Sequence, residues 1–280
     1  MRNFTFKGLL LTAVFMLLGC LSIQAANDDL ITKQITINLD KAGTLPNKIA
    51  SSEMYKITNL KIIGEINGTD WNMIREMAGR DNRGFGTEGK LSVLDLSEAK
   101  IVKGGDSYYP GDNCYTSNDE IGEKAFYDCS RLTSLTLPVG ITSIGYDAFA
   151  YCSGLTSLTL PAGITSIGEF AFSYCSGLTS IYVYAEKVPR IGRYAFEGCA
   201  SRKCTLYVPK GTYDNYRRSE FGYFVNIVEF DATGIDKTTT STDVEEVSRY
   251  SVNGQRLAVP VNGLNIVKYS DGTARKVVVK

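Results

Sequence analysis

IGEKAFYDCSRLTSLTLPVGITS, residues 121–143, is followed directly by IGYDAFAYCSGLTSLTLPAGITS, residues 144–166, and each copy is 23 residues long. A third copy runs over residues 167–190, and a fourth begins at residue 191 and loses the pattern near Cys204. Such a period indicates a stack of similar supersecondary units, because one unit alone cannot bury its apolar face. The sequence therefore predicts a repeat fold in which the first residues of the copies lie in register: Ile121, Ile144, Ile167 and Ile191.

Each copy contains a strand pattern. In the first copy, apolar Leu135 and Leu137 alternate with Ser134 and Thr136, which is the period of a half-buried strand. Pro138 ends the strand, since proline cannot donate to a ladder of hydrogen bonds.

The remainder of each copy predicts a turn and then a short helix. Residues 140–145 carry two glycines and predict the turn. Ala148, Phe149, Cys152 and Leu155 then follow at a spacing that predicts a short α-helical or 3₁₀ segment facing the strand. One strand and one short helical segment per copy predict a right-handed α/β solenoid with strands about 4.8 Å apart.

Two weaker copies of the same frame precede the clear repeats. Residues 57–62 and 91–96 follow the spacing L-x-x-L-x-L of leucine-rich repeats. The longer block I-G-x-x-A-F-x-x-C-x-x-L-x-x-L-x-L-P resembles the BspA-like leucine-rich repeats of Bacteroidetes surface proteins. This resemblance implies a leucine-rich-repeat coil of about six rungs with N- and C-terminal caps, and a role in adhesion.

Composition divides the chain into six segments. We expect a signal peptide, an N-terminal cap with divergent repeats and insertions, the tandem repeats, a C-terminal cap, a polar linker and a small antiparallel β tail. In the same order, these segments cover residues 1–26, 27–120, 121–208, 209–230, 231–243 and 244–280.

The caps are predicted in more detail. A strand opens the N-terminal cap, and a helix over residues 70–79, capped by Thr69 or Asp70, places Trp71 in the core. At the other end, Thr212 is expected to cap a helix that reaches Phe221, and residues 225–230 to form a closing strand.

The first 26 residues indicate export. Basic Arg2 and Lys7 precede an apolar run over residues 8–18, too short to span a membrane. Cleavage near Ala26 would give one mature protein, whereas the sequence Leu-Leu-Gly-Cys at residues 17–20 resembles a lipobox in which Cys20 is lipidated. Both outcomes stay open, with lipidation favoured; we place the protein at the outer membrane, on the cell surface or in the medium.

Charge and composition exclude several classes of function. The chain has 280 residues, with 30 basic and 30 acidic side chains, so it lacks the basic surface that nucleic acid requires. It contains no histidine, which removes Ser-His-Asp and Cys-His catalysis and the commonest ligand of zinc and iron. We therefore predict a non-enzymatic protein without cofactor or metal. The enzymatic alternative is a glycan-acting enzyme that uses paired carboxylates.

Two loops between the early repeats carry weaker signals. Residues 84–90 fit G-x-x-x-x-G-K, but Leu91 stands where a phosphate loop needs Ser or Thr, and the stretch precedes a strand, so nucleotide binding is rejected. The loop at residues 106–120 is predicted to expose or half expose its tyrosines, Tyr108 among them. Its acids leave calcium binding open beside the simpler interpretation as a solvated loop.

One cysteine recurs in each tandem copy. If these residues lie on helices, neighbouring copies are about 8–10 Å apart, too far for a disulfide. We therefore predict buried free thiols, although Cys199 and Cys204 are close enough in sequence to bond. The recurring cysteines are Cys129, Cys152, Cys175 and Cys199.

The outward strand positions predict a binding surface that is hydroxylated at one end and aromatic at the other. Solvated strand positions often carry Ser and Thr without any binding role, so that simpler interpretation stays open. Repeat proteins, however, present extended surfaces, and tyrosine supplies contact area at low entropic cost. We expect a monomer that binds a host protein, an envelope component or a glycan; the alternative is a purely structural spacer of the envelope. The predicted ligand-binding residues are Thr136, Thr159, Ser180, Tyr182, Tyr184 and Tyr207.

The tail alternates apolar residues around Asn253-Gly254 and Asp271-Gly272, a pattern that predicts hairpins. It resembles the C-terminal sorting module of type IX secretion cargo, which implies recognition by the outer-membrane secretion machinery. Asn265 departs from that pattern, which prefers tyrosine there. The alternative is a small β domain that packs beside the repeats.

Overall fold

The structure is a computed structural model that describes residues 29–110, 114–232, 246–251, 256–257, 263–269 and 274–279. The predicted signal peptide and Cys20 lie outside these ranges. Within them, no helix has both the length and the hydrophobicity needed to cross a bilayer.

The main element is an eight-stranded sheet in which every pair of neighbours is parallel. Its spatial order follows the chain, so each repeat adds one strand beside the previous one. These parallel repeat strands fit a leucine-rich-repeat solenoid, whereas the right-handed coil and the number of rungs stay predictions. The strands are β1 (Ile35–Leu39), β2 (Asn59–Ile66), β3 (Val93–Ile101), β5 (Ser134–Thr136), β7 (Ser157–Leu160), β9 (Ser180–Val183), β11 (Thr205–Pro209) and β12 (Asn226–Phe230).

A second parallel sheet runs alongside, formed by two-residue strands that the sequence indicated only as turns. They are β4 (Glu120–Ile121), β6 (Ser143–Ile144), β8 (Ser166–Ile167) and β10 (Arg190–Ile191). The predicted register is confirmed, because Ile121 pairs with Ile144, Ile144 with Ile167 and Ile167 with Ile191.

The short helix predicted in each tandem copy is wrong. The residues after each Ile-Gly pair form hydrogen-bonded turns, interrupted at two positions per copy by left-handed backbone, which no α-helix tolerates. The freed N–H groups donate to the next copy: Phe126 to the Ala148 carbonyl, and Phe149 to that of Ala171, both over 2.7 Å. The left-handed residues are Lys124, Asp128, Asp147, Tyr151, Phe170, Tyr174, Tyr194 and Gly198.

The glycine of each Ile-Gly pair allows this close stacking. A Cβ at Gly145 would lie 2.7 Å from the Glu123 nitrogen, and one at Gly168 would lie 2.6 Å from the carbonyl carbon of Gly145. Both separations are far below van der Waals contact, so only glycine fits between the backbones of two copies.

Stacked phenylalanines form the centre of the repeat core. Phe126, Phe149, Phe172 and Phe196 are buried, with ring centroids 5.3, 5.0 and 5.5 Å apart along the column. Their planes are within 14° of parallel. The same distance between copies thus suits both the backbone hydrogen bonds and the stacked rings, so every added copy buries the face of the previous one.

The prediction of buried free thiols is confirmed for the four recurring cysteines, and Cys114 and Cys204 are also buried and free. Three of them donate to the carbonyl of a phenylalanine one copy earlier: Cys152 to Phe126, Cys175 to Phe149 and Cys199 to Phe172, over 3.0, 3.1 and 3.2 Å. The helix-like spacing of about 8–10 Å was wrong, because turns bonded backbone to backbone pack more closely than helices do.

The N-terminal cap contains a 3₁₀ turn (Leu45–Asn47) and the helix α1 (Gly68–Met77). The predicted cap at Thr69 or Asp70 is wrong by two or three residues: Asn67 is the N-cap, and Asp70 completes a capping box by accepting from the Asn67 N–H over 2.9 Å. Asp70 also accepts from the Leu45 N–H over 2.8 Å, which ties the 3₁₀ turn to the helix. Trp71 lies in the core, as predicted.

The C-terminal cap contains α2 (Tyr213–Arg217) and a 3₁₀ turn (Glu220–Tyr223), so the predicted helix ends well before Phe221. Thr212 occupies the N-cap position, but its hydroxyl donates backwards to the Pro209 carbonyl over 2.6 Å. Phe221 and Phe224 close the phenylalanine column, 5.2 and 5.1 Å from Phe196.

The tail forms a separate antiparallel sheet, as predicted, which we call the C-terminal module. Its central strands bury a polar pair, in which Arg249 donates to the side-chain oxygen of Asn265 over 3.3 Å. The two predicted hairpin dipeptides lie outside the described residues. The strands, in the spatial order β14-β13-β15-β16, are β13 (Glu246–Ser251), β14 (Arg256–Leu257), β15 (Gly263–Tyr269) and β16 (Ala274–Val279).

Candidate functional site

The outward residues of the main sheet, which we call the strand face, form two columns. The first column is in register from Val93 through Ser134, Ser157 and Ser180 to Thr205. The second pairs Asp95 with Thr136, and then Thr159 with Tyr182, Tyr182 with Tyr207, and Tyr207 with Val228. Parallel strands without a register shift therefore place the predicted site residues on one continuous surface.

The N-terminal end of the strand face is charged. Lys61 pairs with Asp95, over 3.4 Å, and with Glu98. The hydrogen bond to Glu98 is the main cause that raises the pKa of Lys61. Asp95 is only 8% exposed, so its carboxylate serves the ion pair.

The middle of the strand face carries small hydroxyl groups. Ser180 donates to the Ser157 hydroxyl over 3.0 Å, and Thr136 and Thr159 are half-buried beside them. These small polar groups can form hydrogen bonds with a ligand.

The C-terminal end is aromatic and more enclosed. The rings of Tyr182 and Tyr207 stack with centroids 4.4 Å apart and planes 6° from parallel. The ring of Phe230 is nearly perpendicular to those of Tyr182 and Tyr184, with centroids 6.1 and 5.1 Å away. Burial is the main cause that raises the pKa of both Tyr182 and Tyr184. The structure thus gathers the predicted tyrosines into one cluster, the aromatic platform, defined by Tyr182, Tyr184, Tyr207 and Phe230.

Sequence reasoning did not include Phe230 in this site. Phe230 belongs to the closing strand β12, which pairs in parallel with β11 and places Phe230 beside Pro209. The alternation of Val228 and Phe230 with charged Glu229 was the available signal, because it puts both apolar side chains on one face of β12.

A second set of aromatic residues lies on the turn side of the repeats. Tyr151 stacks on Tyr174 at 4.9 Å, and Phe170 on Tyr194 at 5.3 Å. Three of the four are exposed, and sequence reasoning did not single them out, although they recur near the same positions of each copy. Their ring faces cover one another, so this row presents mainly ring edges and hydroxyl groups.

An open depression of about 550 Å³ lies beside the C-terminal cap and carries one acid, Glu220. Hydrolysis of a glycan by paired carboxylates needs two acids about 5–10 Å apart, which this depression does not supply. The residues that line it are Pro189, Ile191, Arg218, Ser219, Glu220 and Tyr223.

The loop considered for calcium is arranged differently from the prediction. Asp106 accepts a hydrogen bond from the Thr69 hydroxyl over 2.8 Å, which ties the loop to α1. Tyr108 was expected to be exposed or half exposed but is fully buried; its ring packs against Trp71, and its hydroxyl donates to the Glu123 carbonyl over 3.0 Å. Within the described ranges, which exclude Asp112, no group of three acid, Cys or His side chains is placed to hold a metal.

Parallel strands repeated at a fixed period, with their columns in register, are typical of leucine-rich-repeat proteins. A comparison with protein families points the same way: residues 113–216 match the BspA type leucine-rich repeat region, in six copies. The match supports the BspA-like resemblance for this part of the chain, from just before β4 into α2. No curated protein matches the sequence.

Proposed function

We propose that this protein is an exported, surface-associated interaction protein that binds a host protein, an envelope protein or a glycan through its strand face. The match to the BspA type repeat supports a role in interaction at a surface. Lipidation at Cys20 would hold the monomer at the membrane, and the C-terminal module would act as its sorting signal.

The aromatic platform is the observation that carries this proposal. Tyr182, Tyr184 and Tyr207 present rigid rings with polar tips, the kind of side chain that supplies much of the binding energy at interfaces. The row of hydroxyl groups that includes Ser180 and Thr159 continues directly from them, so one ligand can contact rings and hydrogen-bonding groups together.

The proposal is tested with purified full chain on arrays of extracellular-matrix proteins and glycans. The variant Tyr182→Ala/Tyr184→Ala/Tyr207→Ala should lose binding by at least about tenfold, since truncating an aromatic hot-spot residue costs about 2 kcal/mol or more. A matched control removes three tyrosines from the turn side, Tyr146, Tyr151 and Tyr174, all of them exposed.

Melting temperatures of both variants are measured, because Tyr182 and Tyr207 also pack on each other. Loss of binding in the first variant alone, with the repeat domain still folded, supports the strand face as the site. Equal binding by that variant and the wild type, or loss only in the turn-side control, would overturn the proposal.

A further inference from the structure

The C-terminal module contacts the aromatic platform through one lysine. Lys276 lies on β16, an edge strand of the module, and its ammonium nitrogen is 4.1 Å from the centre of the Tyr184 ring. That distance is well inside the range of about 6 Å within which a cation is attracted to an aromatic face.

Electrostatic effects on two pKa values agree with this contact. The raised pKa of Tyr182 is caused by burial first, then by Tyr207 and Tyr184, and last by Tyr250 on β13 of the module. Burial lowers the pKa of Lys276, while Asp231, next to Phe230, acts in the opposite direction. The ammonium is therefore partly desolvated beside an aromatic ring, which is the condition under which a cation–π contact is strongest.

The geometry points to the aromatic platform as a lysine-recognition surface that the C-terminal module fills with Lys276, so that a protein ligand must present a cationic side chain and displace the module. This inference rests on the proposed function and narrows its ligand to a protein segment that carries an exposed lysine or arginine.

The arrangement of the rings favours a cation over a sugar. Tyr182 and Tyr207 cover each other's faces at 4.4 Å, so these inner faces are not free to lie against a sugar ring. The Phe230 ring is nearly perpendicular to that of Tyr184, and Lys276 sits over the face of the Tyr184 ring. Tyr184 is therefore the ring of this cluster whose face contacts a group of the module, and that group is the Lys276 ammonium.

Protection of Tyr184 by Lys276 is tested without any external ligand, by nitration of tyrosines with tetranitromethane in the full chain. Mass spectrometry gives the initial rate at Tyr184 relative to Tyr213, which is exposed on the C-terminal cap. Lys276→Glu should raise this ratio by about tenfold, the factor expected when a partly desolvated cation–π contact is lost. Lys276→Arg keeps the cation and should leave the ratio low.

The matched control is Lys268→Glu, which makes the same charge change at an exposed position of β15. An equal rise in this control, or a Tyr184 already as reactive in the wild type as in Lys276→Glu, would overturn the inference. Amide exchange along β15 must stay slow in the lysine variants. If Tyr184 became reactive only where that exchange turned fast, unfolding of the module would be the cause, and cation recognition would be rejected.

The class of ligand is tested with a peptide of sequence ARKVVV, residues 274–279, added to the Lys276→Glu full chain. The N-terminally acetylated peptide should restore protection of Tyr184, whereas the same acetylated peptide with norleucine in place of both arginine and lysine should not. Equal protection by both peptides would reject recognition of the cation. Neither test uses the array ligands. If Lys276 protects Tyr184 but the protein binds nothing on the arrays, the proposed function is refuted and this inference is not.

Discussion

The guanidinium of Arg75 donates to the main-chain carbonyl of Ala125 over 3.0 Å, and so joins α1 to the first tandem copy. One copy later, the equivalent carbonyl of Ala148 accepts from the Phe126 N–H over 2.7 Å. The first copy has no tandem copy before it to make that bond, so side chains of the N-terminal cap supply the donors. Trp71 also donates to Ala125, over 2.9 Å.

Replacing Arg75 by Met should therefore destabilise the protein by about 2 kcal/mol, because a buried hydrogen bond from a charged group is lost. Arg83→Met, at an exposed position, should be neutral within about 0.5 kcal/mol. Urea unfolding measures the free energy of unfolding of both variants.

Trp71→Phe keeps a ring but removes the other donor to Ala125. The double variant Arg75→Met/Trp71→Phe should therefore lose more stability than the sum of the two single losses. If the two losses of stability simply added, Arg75 and Trp71 would not act together as donors to the Ala125 carbonyl.

Gly168→Ala should destabilise the repeats by about 2–3 kcal/mol, since the new methyl group would sit 2.6 Å from the backbone of the preceding copy. Gly163, near the end of the preceding copy, provides the matched control: its added Cβ would meet the Ile141 carbonyl at an ordinary 3.5 Å. Thermal unfolding should separate the two variants clearly. If Gly163→Ala were as damaging, backbone flexibility instead of close stacking would explain the repeated glycine.

Phe149→Ala should lower the free energy of unfolding by about 3–5 kcal/mol, because it opens a cavity in the centre of the stacked column. Val139→Ala, at a position 75% exposed, should change it by less than about 0.5 kcal/mol. Denaturant titration followed by circular dichroism gives both values. A small loss at Phe149 would mean that neighbouring copies do not depend on one another.

The buried thiols predict a loss of stability at alkaline pH. Burial raises the pKa of Cys129 to about 11, compared with about 8.5 for a free thiol. A folded-state pKa above the unfolded one contributes stability that is complete below about pH 8.5 and is lost as the pH rises towards 11. Cys129→Ala should therefore flatten the fall in stability between these values.

The measurement is the free energy of unfolding in urea from pH 7 to 11, with the loss of packing in Cys129→Ala subtracted at pH 7. The same shift predicts that the thiols react slowly with Ellman's reagent in the folded protein and rapidly in denaturant. Fast labelling of the native protein at pH 8 would contradict burial of the thiols.

Periodicity in the sequence predicted the main features correctly. The 23-residue repeat predicted the strand at Ser134–Thr136, the in-register isoleucines beginning at Ile121, and the shared surface of Tyr182 and Tyr207. These features follow from local alternation and copy number, which a single chain displays directly.

The same reasoning failed at the turns. Ala148, Phe149 and Cys152 follow a helical spacing, yet left-handed Asp147 and Tyr151 interrupt any helix there. Hydrogen bonds to the next copy replace those that a helix would form, as between the Phe149 N–H and the Ala171 carbonyl. A propensity argument applied to one copy cannot detect bonds that exist only between copies.

The sequence by itself therefore determined that the chain is a stack of repeats, which residues face its core, and where the hydroxyl and aromatic positions of the strand face lie, because these depend on period and polarity. Only the tertiary structure decided that the turns bond from copy to copy, that Arg75 completes the first of them, and that Lys276 lies over Tyr184. Each of those contacts joins segments distant in sequence, and their geometry is fixed by packing that no local pattern encodes.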